Sequence, residues 1–576
     1  MPETVSPLTP VQRFWRLLKP DQKEITNVYV YAIFSGLVNL SLPLGIQAIV
    51  NLIQGGQIST SWVVLVTIVV LGVVITGVLQ IFQLRITENL QQRIFTRAAL
   101  EFAYRIPRLK LERLYKEYAP ELVNRFFDTI SIQKGLAKIL IEFSTAILHI
   151  VFGLVLLSVY HPFFIAFSGI LIVLILAIFR FTTAKGLKTS LDESKYKYSV
   201  QYWLEELART ATTFKLAGNT SLPMQRTDKL LGGYLASRES HFKVLVQQYS
   251  LMVVFKALIA TALLAIGGVL VFQQRMNIGQ FVAAEIIILM VISAVEKLIM
   301  SFETIFDVLT SLEKVGQVTD LELERNNGER LVENDMKPGY DIVLNTVNFS
   351  YPGFPIASLN NISLTLEAGK KYVVTGANGS GKSSLLRVVA ALYDPQSGHI
   401  TFNGHHKESL DLEHLRTSMG DYMNQEELFE GSLLDNISLG REGVTLENMT
   451  QAIGHVGLSE YLSQLPDGYQ TKIAPQGKNL PASVAQRLLL ARSFVHNPKV
   501  LLLEDAFEHL DDQCRMDLID YLIEKERPWT MVASSTDPYL LRKADKIAVL
   551  EKGKLIAFGT YPEVKHLLTF KNNNHA

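Results

Sequence analysis

Residues 371–384, K-Y-V-V-T-G-A-N-G-S-G-K-S-S, place a β-branched strand, a glycine-rich turn and a helix start in that order. This is G-x-x-x-x-G-K-S in the context it requires. Gly376, Gly379 and Gly381 let backbone N–H groups curl around phosphates at a helix N-terminus. Asn378, Ser380 and Ser384 fall on the same turn. Lys382 supplies charge to β- and γ-phosphates, and Ser383 offers a hydroxyl to Mg²⁺. A second stretch, V-L-L-L-E-D-A-F-E-H-L-D at 500–511, runs four aliphatic residues into Glu504 and Asp505. It reads as the acidic strand of a nucleotide-hydrolysing site. Upstream, V-N-F-S-Y-P puts Tyr351 about 25 residues before the turn, where an aromatic ring could stack on adenine. Downstream, Gln425 follows a strand-like run.

These residues need a soluble α/β scaffold, and composition says where it lies. Of 576 residues 48% are hydrophobic, with mean hydropathy +0.20, but the apolar runs crowd into the first 300 residues. Six runs reach the roughly 18 to 20 apolar residues that span a bilayer, near 25–50, 62–84, 139–160, 162–180, 250–272 and 279–300. No cleavable signal peptide precedes them, so the N-terminus is expected to stay. Eleven Lys/Arg lie between the second and third spans and ten between the fourth and fifth, against one Arg in the opposite connections. The positive-inside rule then makes both long loops, both termini and the C-terminal part cytoplasmic.

The fold class expected is an all-α six-helix transmembrane domain fused to an α/β P-loop nucleotide-binding domain. The divisions are a cytoplasmic segment 1–24, the membrane domain 25–318, a linker 319–340, the nucleotide-binding domain 341–566 and a polar tail 567–576. The long loops space apolar residues three and four apart, so the membrane helices should continue into the cytoplasm, with breaks at Pro107, Pro120 and Pro223. Within the spans, Glu142 and Lys256 are expected to snorkel from cytoplasmic ends, and Glu285 is the better pathway candidate. Zero net charge gives no general case for nucleic acid. The single cysteine, Cys514, excludes an intrachain disulfide and a multi-cysteine zinc site.

Taken together, Tyr351, the glycine turn, Y-M-N-Q around Gln425 and A-Q-R-L-L-L-A-R-S-F-V-H-N-P-K-V-L-L-L-E-D resemble the ATP-binding cassette exporters. These are half-transporters with six membrane helices and one nucleotide-binding domain. The resemblance covers nearly the whole chain. P-E-L-V-N-R-F-F-D (120–128) and I-G-Q-F-V-A-A-E (278–285) look like the type I secretion branch. It implies ATP and Mg²⁺ as cofactors, with Tyr351 stacking on adenine. Ser383, Gln425 and Glu504 would hold the metal, and Leu510 and Asp511 would touch the opposite subunit. It also implies a homodimer or a second half-transporter, with Glu112 to Asp128 and Arg209 to Asn219 as coupling segments.

Three motifs depart from the family pattern. Asp-Glu-Pro at the acidic strand becomes Glu504, Asp505 and Ala506, each carboxylate one methylene off its expected length. The signature L-S-G-G-Q, which would face ATP on the opposite subunit, becomes Leu480, Pro481, Ala482, Ser483 and Val484. Pro481 still suits the first turn of a helix. Thr536 stands where a histidine usually contacts the γ-phosphate. A misplacement of about 1 Å can cost on the order of 10²-fold in rate, and one lost transition-state donor about 10²- to 10³-fold. Catalysis by Asp505, Glu504, Gln425 and Thr536 is therefore expected to be slow while binding stays whole.

The resemblance implies export of a substrate, with a polypeptide as one option. A periplasmic adaptor and an outer-membrane channel would be the partners in a bacterial inner membrane. The N-terminal segment is expected to be too short for the peptidase domain of some peptide exporters. The competing expectation is an ATP-binding regulatory or scaffold subunit with little hydrolysis.

Overall fold

In a computed structural model the structure describes residues 8–56, 60–115, 119–331, 339–424, 426–508 and 510–568. The chain separates into two compact units: Met1–Pro107 with Glu117–Leu321, and Arg108–Lys116 with Glu322–Ala576.

The first unit is helical. Its main helices are α1 (Pro10–Leu18), α2 (Gln22–Asn39), α3 (Ser41–Gln54), α4 (Thr60–Arg105), α5 (Asp128–Lys138), α6 (Ser144–Tyr160), α7 (Pro162–Arg209), α8 (Leu222–Ala262) and α9 (Ile278–Thr319). Among the described residues five helical stretches are long and apolar enough to cross a membrane: Pro10–Gln54, Thr60–Arg108, Pro120–Tyr160, Leu222–Phe272 and Ile278–Thr319. The remaining expected span lies in α7, whose described apolar part, Pro162–Ala177, is shorter. α9 packs most of its length into the core, burying Ala283, Ile287, Val291, Val295 and Leu298 at helical spacing.

Two of the three expected proline breaks, Pro107 and Pro223, fall where sequence put them, and Pro120 is the second residue of a short helix, Ala119–Asn124. Pro107 sits in a 3₁₀ turn directly after α4, and Pro223 is in the first turn of α8. A short helix, Ala211–Leu216, turns the chain between α7 and α8. The charged groups in the spans depart from expectation in one respect. Lys256 forms an ion pair with Glu296 and so is neutralised by a neighbouring helix; that partner was not singled out from sequence.

The second unit is α/β. Its strands are β1 (Ile342–Phe349), β2 (Leu359–Leu366), β3 (Lys371–Thr375), β4 (Ser397–Phe402), β5 (His405–His406), β6 (Met419–Tyr422), β7 (Gly431–Ser432), β8 (Lys472–Ile473), β9 (Val500–Glu504), β10 (Thr530–Ser534), β11 (Lys546–Glu551) and β12 (Lys554–Gly559). Six form one sheet in the order β12-β11-β3-β10-β9-β6; β2-β1-β4-β5 form a second, antiparallel sheet, and β7-β8 a small ribbon. β3, β9 and β10 are buried along their whole length. Continuous apolar runs such as V-L-L-L follow from that, because parallel strands are covered on both faces. The helices that matter for the site are α10 (Lys382–Val389), α11 (Ala482–Phe494) and α12 (Asp512–Ile523).

Candidate nucleotide site

Parallel register builds the site. Ser534 at the end of β10 pairs with Val374 of β3 on one side and Glu504 of β9 on the other. The loops that follow these strands therefore leave the same sheet edge, the edge where open α/β sheets bind ligands.

Between β3 and α10 the glycines are required by geometry. A Cβ on Gly376 would lie 2.2 Å from the Leu550 carbonyl oxygen, and one on Gly381 2.5 Å from that of Ser358. Gly381 has φ +104° and caps α10. Gly379, at φ +77°, faces open space. A cavity of about 330 Å³ opens there, lined by Gly379 to Ser384, Tyr351, Phe354 and Tyr115.

Lys382 Nζ donates to the carbonyls of Gly376 (2.9 Å) and Ala377 (3.2 Å). Ser380 Oγ is buried with no hydrogen-bond partner among the described residues. A helix start with free N–H groups, a lysine held only by loop carbonyls and an orphaned hydroxyl fit a polyphosphate. Tyr351 is fixed at the rim. Its hydroxyl accepts from Arg387 Nη1 at 3.1 Å and from Ser384 Oγ at 3.3 Å.

Glu504 ends β9 only 3% exposed, and its Oε2 accepts from the Asn424 N–H at 3.2 Å. The acidic strand is thereby tied to the residue before Gln425. Gln425 itself lies outside the described residues. Asp505 adopts φ +49°, a left-handed conformation that Asp tolerates better than most residues. Its N–H donates to the Ser534 carbonyl at 3.0 Å, and its Oδ1 accepts from Ser534 Oγ at 3.2 Å. Burial pushes the Asp505 carboxyl above the usual range, opposed by the Ser534 hydrogen bond and by the Lys382 charge. Ala506 is buried beside it, and Thr536 is exposed on the loop after β10.

The residues expected to form the signature, Leu480 to Val484, lie at the start of α11. Pro481 is the N-cap and not a first-turn residue, so the expected placement shifts by one position. The helix does survive, with Val484 and Ala485 donating to the Pro481 carbonyl, both at 3.0 Å. Ala482 and Ser483 are exposed, Leu480 is half-buried, and Val484 packs into the core. Asp511 caps α12, accepting from the Cys514 N–H at 2.9 Å, and pairs with Arg487 at 2.7 Å. Leu510 packs against the same core.

Tyr351 and residues 379–384 thus line one cavity, with Asp505 within electrostatic reach of Lys382. Leu480 to Val484 do not line it. Sequence reasoning missed Tyr115, Phe354 and Arg387 around Tyr351, and Ser534 beside Asp505. The signal for Tyr115 was faint: one of two tyrosines in the charged run E-R-L-Y-K-E-Y.

The fold and the site are similar to those of the ATP-binding cassette proteins. Residues 359–508 match the ABC transporter family, and the chain has the fold of an ABC exporter with membrane-length apolar helices, an integral membrane protein. Over 95% of its length it superposes on 96% of a bacterial Atm1-family ABC exporter with ATP bound, at TM-score 0.82 and 19% identity. In sequence it is 28% identical over 369 residues to the alpha-hemolysin translocation ATP-binding protein HlyB of Escherichia coli, covering 63% of this chain. That match spans about half of HlyB, 51%. It is 24% identical over 546 residues, 94% of this chain and 75% of the relative, to the transport/processing ATP-binding protein ComA of Streptococcus pneumoniae.

Proposed function

We propose that this chain is one half of a dimeric exporter that binds ATP well and hydrolyses it slowly, moving a substrate across a bacterial inner membrane. The observation that carries the reading is the contrast at one sheet edge. The phosphate cradle of Gly376, Asn378, Gly379, Ser380, Gly381, Lys382, Ser383 and Ser384 is built and open, while the acids beside it are exchanged and Asp505 is tied back to Ser534.

In this account Tyr351 holds the base, the 376–381 backbone and Lys382 hold the phosphates, and Ser383, Gln425 and Glu504 hold Mg²⁺. Bound Mg-ATP would supply the phosphoanhydride whose cleavage resets the cycle. Asp505 orients the attacking water from a carboxylate one methylene short. Pro481 removes the side-chain cap and the hydroxyl of the usual signature serine, and Ser483 is the one hydroxyl left there. The partner is a second copy or another half-transporter. HlyB is named for alpha-hemolysin translocation, and a polypeptide cargo, passed to a periplasmic adaptor and an outer-membrane channel, is the substrate class we favour.

A second reading, an ATP-binding regulatory or scaffold subunit, is favoured by the state of α11, where Val484 is turned into the core. A distance measurement separates dimer closure from its absence. With Cys514→Ser and a spin label at exposed position 526, the account expects an inter-subunit distance that shortens with ATP. A sample with no inter-label distance, or with one that ignores ATP, contradicts it.

A further inference from the structure

The helical unit holds a cavity of about 310 Å³ between α1, α4, α5 and α9. That is the small end of the range for small-molecule sites. Its walls are of two kinds. Leu17, Ile94, Phe102, Ile132, Leu312 and Val315 form an apolar part, and Arg13, Arg16, Arg97 and Arg105 a cationic one.

Most of the cations are committed to carboxylates. Arg97 pairs with Asp21, Arg105 with Glu101, and Arg13 Nη2 with Asp320, each at 2.8 Å. Arg13 Nε donates to the Leu8 carbonyl at 3.0 Å and lies 3.6 Å from Glu313. Among the described residues two of these cations keep a donor without a protein partner. Arg16 has no ion-pair partner among the described residues, and Arg13 Nη1 is buried with no hydrogen bond although Arg13 is only 8% exposed. Thr129 Oγ1, on a residue 1% exposed that also lines the cavity, is equally without a partner. Native folds rarely leave such groups unsatisfied, and a charged donor least of all.

The position of Arg13 is built, not incidental. A capping box between Thr9 and Gln12 starts α1. Gly316, inside α9, makes room for the guanidinium: a Cβ there would lie 1.2 Å from Arg13 Nη1. Glycine weakens a helix interior, so its presence answers a packing need.

We propose that this cavity binds an amphipathic anion, a carboxylate or phosphate head on a short apolar body. The head is held by Arg13 Nη1, Arg16 and Thr129 Oγ1, and the body lies against Phe102, Ile132 and Leu312. Hydrogen bonds to the head would satisfy the two buried donors, Arg13 Nη1 and Thr129 Oγ1, while the exposed Arg16 supplies a further charge at the mouth. The assignment does not depend on what the chain transports.

The test is equilibrium binding of octyl phosphate to the full chain in neutral phosphatidylcholine nanodiscs, with protein-free discs as the blank. Saturable binding is expected, at least tenfold tighter than that of octanol or inorganic phosphate. Arg16→Gln and Thr129→Val should each weaken it about tenfold. Thr129→Val is the decisive variant, because removing an unpartnered hydroxyl at nearly constant volume leaves the ligand-free melting temperature unchanged or raised. Discs doped with phosphatidylglycerol identify the source. Lost octyl phosphate binding there assigns the head to a bilayer lipid, undiminished binding to a soluble amphiphile, and either result supports the site. Equal binding by inorganic phosphate or octanol, equal affinity in both variants, or no binding above the blank, which would leave the cavity to water, overturns it.

Discussion

The ring of Tyr115 stacks on the ring of Tyr351, centroids 5.3 Å apart and planes 21° from parallel. Both line the cavity that holds the phosphate loop. Tyr351 also meets Phe349 and Tyr393 edge-on, at 4.9 and 5.5 Å. An adenine that stacks on the face now covered by Tyr115 must displace it, and such aromatic pairs are worth about 0.5–1.5 kcal/mol. Tyr115→Ala is therefore expected to tighten ATP binding about two- to tenfold, measured by titration with a fluorescent ATP analogue. Tyr351→Ala should weaken binding, because base stacking contributes about 1–3 kcal/mol. Weaker binding in Tyr115→Ala would mean that this ring assists the base and does not compete with it.

If Leu480 to Val484 form the signature proposed above, it cannot be restored one residue at a time. Pro481→Ser restores an N-cap side chain to α11 and should stabilise the domain by about 1 kcal/mol. Val484→Gln sends an amide into a core where the side chain is 8% exposed, at a cost of about 1–3 kcal/mol. Denaturant unfolding of the two variants checks the opposite signs.

Exchanging the acids, Glu504→Asp with Asp505→Glu, restores the lengths of the usual pair. Turnover should rise about tenfold to a hundredfold in the double variant and little in either single one, since the two act as a unit. The left-handed φ of +49° at 505 suits Asp better than Glu, which limits the gain. A double variant no faster than the native chain would place the defect in Thr536 and the signature.

Glu426 adds a pH dependence. Its Oε1 accepts from the Met423 N–H at 2.8 Å, and Arg492 lies 3.9 Å from its other oxygen. Burial first, and then the Asp421 carboxylate, hold its pKa far above the ordinary 4.5. The folded state therefore binds more protons than the unfolded one from about pH 4.5 upward, and stability falls as pH rises through that window. Glu426→Gln should match the native chain near pH 5 and exceed it at pH 8, as read from melting temperatures across pH.

The parts of this molecule visible in sequence were those fixed by local rules. The glycine turn announced itself because Gly376 and Gly381 have no room for a Cβ, and the acidic strand because β9 is buried on both faces. What stayed hidden depends on register and on distant pairs. Ser534 beside Asp505 follows from strand order, Glu296 beside Lys256 from helix packing, and Tyr115 beside Tyr351 from chain folding across more than two hundred positions. The shift of Pro481 from first turn to N-cap is the one-residue uncertainty that helix ends carry.

The most direct test of slow hydrolysis at an intact binding site is steady-state ATP turnover of the purified chain in lipid, beside nucleotide binding, with Lys382→Ala as the blank. The account predicts firm binding and a low turnover that stands above the blank and falls further in Asp505→Ala. Rapid turnover that Asp505→Ala leaves untouched, or no nucleotide binding at all, would contradict it.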